Sequence, residues 1–278
     1  MEDDRILVVE RATKMFGGLT ALKDLNISVR RGTIHSVIGP NGAGKTTFFN
    51  CIMQAVAISS GRIWFEKERI DGLSPDLVAK LGINRTYQNI RLFRNVSAAQ
   101  NLLVGMHLHL RSSWLGALFN TRFSRDDEAA GYAEAARLLD FVGLAKRGDI
   151  LAKDLAYGEQ RRLEIGRALA ARPTLLMLDE PTAGMNPREM QDMLAFIRQL
   201  RDELGLTILL IEHQMSLVMS LSDRITVLDH GVVLAEGGAA EIRSHPGVIE
   251  AYLGRGSGRH RIHKATSQLF QGAPHGTA

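Results

Sequence analysis

Apolar residues recur at two different spacings along this chain, and the changes of spacing mark its organisation. Residues 5–37 hold three stretches of strand character: ILVVERATKMF, ALKDLNISVRRG and TIHSVIG. GRIWFEKERI (61–70) has apolar ends around a charged turn and predicts a hairpin. From about 75 to 150 the spacing lengthens to three and four, as helices require; LVAKLGI, SAAQNLLVGMHLHL and EAAGYAEAARLLDFVGL carry it. Between the last two, RSSWLGALFNTRFSRDD is rich in Ser and Arg and predicts an exposed loop or a short helix. Strand signals return at TLLMLDE (174–180) and LTILLIEH (206–213), with a helical segment near 187–204 between them. RITVLDHGVVLAEG (224–237) predicts a second hairpin, turning at His230-Gly231. No internal repeat is present. Strand–helix alternation on both sides of a helical insertion predicts an α/β core with a parallel sheet and a helical subdomain between its halves.

Composition narrows the setting. The 278 residues, 45% hydrophobic and 23% charged, suffice for one large or two modest globular domains. No apolar run reaches the about 18–20 residues of a membrane span. The acidic start, MEDDRILVVE, has neither the basic nor the apolar region of a signal peptide. A single cysteine, Cys51, excludes an intrachain disulfide framework and favours a reducing, cytoplasmic setting. The net charge of +4 invites a nucleic-acid reading, but its position argues against one. Residues 255–278 contain Arg255, Arg259, Arg261 and Lys264 and no acid, which leaves 30 basic and 30 acidic residues over 1–254. The tail, rich in Gly, Ser and His, reads as disordered and solvated, with weak attraction to anionic lipid or RNA as a second reading. The expected division is thus a domain over 1–254 and a basic tail over 255–278.

The clearest chemistry is GPNGAGKTT: Gly39, Pro40, Asn41, Gly42, Ala43, Gly44, Lys45, Thr46 and Thr47. It follows the strand IHSVI and precedes the helix-compatible KTTFFNCIMQ, so G-x-x-x-x-G-K-[ST] stands in the context its mechanism needs. The glycines let backbone N–H groups turn inward around an anion, and a helix N-terminus adds positive potential. Lys45 can reach β- and γ-phosphates, and the Thr46 hydroxyl can ligate Mg²⁺. LLMLDE supplies a second strand ending in two carboxylates. Asp179 is placed to bind Mg²⁺, directly or through water, and Glu180 to act as general base on the attacking water. His213 ends a third apolar strand and could face the same crevice, although alone it reads better as a satisfied structural histidine. Gln88, by itself, says almost nothing, and Phe16 reads as either a core residue or a stacking ring.

In order, GPNGAGKTT, Gln88, LAYGEQ, LLMLDEP and His213 resemble the motifs of the ATPase subunits of ATP-binding cassette (ABC) transporters, over roughly residues 5–254. KMFGGLTAL, GINRTYQNIRLFRNVSAAQNLLVGMH, LAYGEQRRLEIGRALAARPTLLMLDEPTAGMNP and IEHQM are similar to branched-chain amino acid importers within that family. The resemblance implies a P-loop NTPase (RecA-like) fold with a mainly parallel sheet, an N-terminal antiparallel β subdomain and an α-helical subdomain inserted at about 89–160. It implies ATP and Mg²⁺ as cofactors, Phe16 stacking on adenine, Gln88 touching Mg²⁺ or the attacking water, and His213 touching the γ-phosphate. It gives Ala156, Tyr157, Gly158, Glu159 and Gln160 to the signature, which serves the nucleotide of a second, head-to-tail ATPase subunit, identical or homologous. Glu159, Gln160 and the following arginines are then expected at the dimer contact and on the helix face.

Two departures stand out. The general signature reads Leu-Ser-Gly-Gly-Gln; here Ala156 replaces the serine and Tyr157 the first glycine. Loss of that hydroxyl contact costs ~1.5–3 kcal/mol if nothing compensates it. Further on, Asn186 stands where the family has Asp, which implies an altered interfacial hydrogen bond. The implied function is ATP hydrolysis to ADP and phosphate at the cytoplasmic face of the membrane, coupled to import of branched-chain or related amino acids. The implied partners are membrane permease subunits, seated on the segment NIRLFRNVSAAQ and the helical insertion, and indirectly a solute-binding protein. A different ABC system, moving lipid or another solute, and a soluble ABC protein acting on DNA or the ribosome are the alternatives. The neutral body and single cassette make nucleic acid an unexpected partner.

Overall fold

The computed structural model describes residues 4–106 and 122–253; the expectations for HLHLRSSWLGALFNT and for the basic tail lie outside those residues. Two long N-terminal strands, β1 (Arg5–Phe16) and β2 (Leu19–Arg30), pair antiparallel around Gly17-Gly18, with Phe16 opposite Leu19. β4 (Ser60–Phe65) pairs antiparallel with β1, and β5 (Glu68–Arg69) closes the first predicted hairpin. The sheet order is β2-β1-β4-β5. The turn between β4 and β5, Glu66-Lys67, takes positive φ at both residues (49° and 81°), which matches the twist of the flanking strands.

The second sheet has the order β10-β9-β3-β8-β7-β6. Its members are β3 (Ile34–Ile38), β6 (Ile83–Arg85), β7 (Leu175–Asp179), β8 (Thr207–Ile211), β9 (Arg224–Asp229) and β10 (Val232–Gly237). All neighbours are parallel except β10, which returns antiparallel on β9 through His230-Gly231. β3, β7 and β8 are buried at every position, as expected of parallel strands covered on both faces. Period-two alternation then divides their side chains. Leu176, Leu178, Ile208 and Leu210 face one core, and Leu175, Met177, Leu209 and Ile211 face another.

α1 (Lys45–Ile52) starts at once after the glycine loop and buries Phe48, Phe49 and Ile52 between the two sheets. The short α2 (Pro75–Lys80) leads into β6. The insertion packs α3 (Ala98–Gly105), α4 (Arg122–Phe141) and α5 (Tyr157–Ala170) together through Leu102, Leu139, Val142 and Leu163. The end of RSSWLGALFNTRFSRDD therefore joins a long helix, since α4 begins at Arg122. Ser97 caps α3: its hydroxyl accepts from Gln100 N, and Gln100 Oε1 accepts from Ser97 N. α6 (Pro187–Leu204) covers the sheet with Met193, Leu194, Ile197 and Leu200 and ends at left-handed Gly205. α7 (Met215–Leu221), α8 (Ala239–Ser244) and α9 (Pro246–Leu253) complete the described chain. Among the described residues no helix is long and apolar enough to cross a membrane.

Candidate functional site

At the C-terminal end of β3 the chain turns through Gly39, Gly42 and Gly44, all at positive φ, and enters α1 at Lys45. At Gly44 (φ 102°) a Cβ would stand 2.8 Å from both Ala21 O and Leu22 Cδ2, so the loop lies directly on β2. Lys45 is almost buried, and its ammonium donates to Gly39 O (2.7 Å) and Pro40 O (3.0 Å). Burial pulls its pKa below the usual lysine range, and the charges of Glu180 and Asp179 oppose that shift. The loop thus carries a cation held by its own carbonyls beneath a helix N-terminus.

A cavity of about 540 Å³ opens over this loop, lined by Phe16, Leu19, Thr20, Ala21, the loop and helix start from Asn41 to Thr47, Gln88, Glu180 and His230. Phe16 is half exposed at the cavity rim with Lys14 Nζ 4.7 Å from its ring centre, so it is not a core residue. Gln88 and Glu180 meet directly: Gln88 Nε2 donates to Glu180 Oε2 at 2.9 Å. His213 does not line the cavity, yet its Nδ1 lies 3.7 Å from Glu180 Oε1. Glu180 itself takes φ +47°, sparsely populated for a residue with a Cβ. It is held there by its N–H donating to Ile211 O (2.9 Å) and its carbonyl accepting from Ala183 N (3.1 Å).

Asp179 lies outside the cavity lining. It is buried at the end of β7, and Arg85 Nη2 bonds its Oδ2 at 2.6 Å. Arg85 carries no motif, and the β6–β7 pairing alone brings it there. Leu19, Thr20, Ala21 and His230 also line the cavity without a sequence motif to mark them. His230 arrives because the β9–β10 turn rests on the glycine loop: Gly231 N donates to Ala43 O (3.0 Å) and Lys23 N to Gly231 O (2.8 Å).

Residues Ala156 to Gln160 are absent from the cavity lining. Ala156 stands at the N-cap of α5 with no side-chain acceptor to offer, although Glu159 Oε2 accepts from Ala156 N at 3.0 Å. Glu159 also pairs with Arg147 (2.9 Å), and Gln160 Nε2 donates to Leu155 O (2.8 Å), so both are engaged within the chain. The arginines after them divide. Arg162 reaches the Phe196 ring, its guanidinium carbon 4.7 Å from the centroid. Arg161, expected on the helix face, is instead fully buried. It binds Glu164 (2.8 Å) and donates to Tyr87 O (2.6 Å) and Gln88 O (2.8 Å), while Glu164 Oε1 accepts from Arg91 N (3.0 Å). Arg161 thereby satisfies two backbone carbonyls of the segment that carries Gln88. Asn186 Oδ1 accepts from Arg188 N and Glu189 N (3.0 Å each) and caps α6.

Comparison with known proteins places this arrangement. The ABC transporter family pattern matches residues 22–183, and that of the branched-chain amino acid ATP-binding cassette transporters matches residues 232–257. The high-affinity branched-chain amino acid transport ATP-binding protein BraF of Pseudomonas aeruginosa is 47% identical over 249 residues, covering 90% of this chain and 98% of that protein. LivG of Escherichia coli, of the same description, is 43% identical with the same coverage. Among solved structures, an ATP-binding cassette of an ABC transporter in its ADP conformation superposes with a TM-score of 0.78 at 33% identity, covering 90% of this chain and 99% of that one. A nucleotide-free cassette superposes equally well at 34% identity, covering 90% and 100%. With five motifs folded into one cassette and relatives matched along nearly their whole length, the chain belongs to the ABC transporter family, in its branched-chain amino acid ATP-binding branch.

Proposed function

We propose that the cavity binds ATP with Mg²⁺ and hydrolyses it, and that the chain is one of two ATPase subunits powering uptake of branched-chain or related amino acids. The observation that carries this reading is the Gln88–Glu180 hydrogen bond beside a glycine-walled loop holding Lys45. The loop suits phosphates: its positive-φ glycines keep Cβ atoms away from the anion path, and Lys45 needs only to exchange carbonyl for phosphate oxygens. Of the donors expected for Mg²⁺, the Thr46 hydroxyl and the Gln88 amide oxygen are hard oxygen ligands in residues that line the cavity, and the Asp179 carboxylate, bound by Arg85 outside that lining, would join them on exchanging that partner. Thr46, Gln88 and Asp179 would hold the ion, which would neutralise phosphate charge there.

Bound ATP and Mg²⁺ supply the phosphoanhydride and its charge neutralisation. Phe16 offers its ring to the base. Lys45 and the α1 N-terminus take the β- and γ-phosphate charge. Glu180 holds the attacking water and accepts its proton, with Gln88 fixing that carboxylate's second oxygen. His213, against Glu180, donates to the γ-phosphate.

Residues Ala156–Gln160 stand away from the cavity, which supports the reading that they serve the nucleotide of a second ATPase subunit in a head-to-tail pair. The backbone N–H groups at Gly158 would provide what Ala156 lacks. A groove of about 500 Å³ between the core and the helical insertion, with half-exposed Phe93 and Val104 and the guanidinium groups of Arg91 and Arg167, is the seat we assign to a permease segment at the cytoplasmic face of the membrane. A solute-binding protein would act through that permease.

The test is uptake of radiolabelled leucine, isoleucine and valine in a strain lacking this chain. Reduced uptake, restored by the chain and accompanied by co-purification of a multi-span membrane protein, is expected. Undiminished uptake of all three contradicts the substrate assignment.

A further inference from the structure

Glu212 precedes His213 at the end of β8 and is buried, yet it carries none of the motif roles. Its Oε1 accepts two hydrogen bonds from Thr182, from the hydroxyl at 2.6 Å and from the backbone N–H at 3.2 Å. Its Oε2 accepts from His213 N at 3.3 Å. Burial pushes its pKa up, while the bonds from Thr182 and His213 pull it down. A buried carboxylate is a costly way to fill space, and its bonds here go to two positions that flank Glu180. Thr182 is two residues beyond Glu180, and the His213 ring lies 3.7 Å from it.

Thr182 also begins a tight segment. Met185 N donates to Thr182 O (3.2 Å), Gly184 takes φ 76°, and Asn186 ends the segment as the cap of α6. Above Gly184 lies the ring of Tyr157: a Cβ on that glycine would come within 3.6–3.7 Å of it. Tyr157 thus lies near Gly184, and hydrogen bonds join Thr182 through Glu212 to His213 N, whose ring lies 3.7 Å from Glu180.

We propose that Glu212 is a positioning residue that locks residues 182–186 to His213, so that displacement of Tyr157 at the start of α5 is felt at Glu180. The inference rests on the roles proposed for Glu180 and His213. A link of this kind is established by energetic coupling, not by proximity, and a double-mutant cycle measures it.

The cycle uses the full chain with Glu212→Gln, Thr182→Val and the two combined, reading kcat, ATP affinity and thermal unfolding. Each single substitution is expected to lower kcat roughly tenfold with ATP affinity within about twofold, and the double no further than the worse single. Thr182→Ser, which keeps the hydroxyl, retains wild-type kcat. A second readout needs no turnover: in the nucleotide-free protein, Thr182→Val shifts the His213 ring resonances in NMR spectra. Unmoved His213 resonances, additive losses in kcat, or an unchanged kcat in Thr182→Val overturns the link. Wild-type turnover in Glu180→Gln would instead remove the roles on which the link rests, and the His213 resonances would still report whether Glu212 connects the two segments.

Discussion

Arg85 Nη2 lies 2.6 Å from Asp179 Oδ2, and both side chains are buried, so the carboxylate proposed for Mg²⁺ is already paired with a cation from the neighbouring strand. The same guanidinium donates to Asn50 Oδ1 (2.7 Å) and stands over the Phe49 and Tyr87 rings. Removing one member of a buried pair leaves an uncompensated charge. Arg85→Met should cost about 3–5 kcal/mol in urea unfolding at neutral pH. Arg85→Lys, which keeps the charge and loses the planar fork, should recover part of that loss.

The N-cap of α5 invites the opposite change. Ala156 offers no acceptor to the first turn. Ala156→Ser supplies one and should stabilise the protein by about 0.5–2 kcal/mol, read from the midpoint of chemical unfolding. A neutral or negative effect would mean that the first-turn N–H groups are already satisfied.

Gly44→Ala tests the loop. Its φ of 102° and the 2.8 Å approach of a Cβ to Ala21 O leave no place for the methyl group without moving β2 or the loop. ATP affinity, measured by calorimetry, should fall at least about tenfold, since α1 and Lys45 would leave the geometry that presents their donors. Unchanged affinity would show that the cradle tolerates a shift of the loop from β2.

The third strand carries a pH-dependent term. His35 is buried, its Nε2 2.8 Å from Thr226 Oγ1, which donates to Glu236 (3.1 Å); Glu236 in turn binds Arg224 (2.6 Å). Desolvation lowers its pKa from 6.5 to about 4, with the Glu236 charge opposing and Arg224 assisting. The unfolded chain therefore binds this proton first as pH falls. The stabilisation is complete above pH 6.5 and is lost as pH drops through 4, on the order of 3 kcal/mol in total. Unfolding free energies between pH 7 and pH 4 should show this slope, and His35→Gln should remove it.

The sheets and turns were legible because their signals are local. The largely apolar, fully buried runs of β3, β7 and β8, the Glu66-Lys67 and His230-Gly231 turns and the Gly39–Thr47 loop each state their geometry within a few residues. Arg85 and His230 were not legible, because strand pairing and the packing of a hairpin tip on the loop bring them to the site from distant positions. The pattern around Arg161 predicts a surface position, since periodicity alone does not say which of two adjacent arginines faces inward. Glu164 at i+3 was the available signal. Asn186 carried a local signal as well: Asn-Pro followed by Glu189 is a capping pattern, and the cap is where its side chain is used.

Glu180, held by Gln88 and beside His213, is the base we propose for ATP hydrolysis. The most direct test is steady-state ATP hydrolysis by Glu180→Gln alongside equilibrium ATP binding. Binding should persist while turnover collapses by at least about 100-fold. Wild-type turnover in that variant would contradict that role.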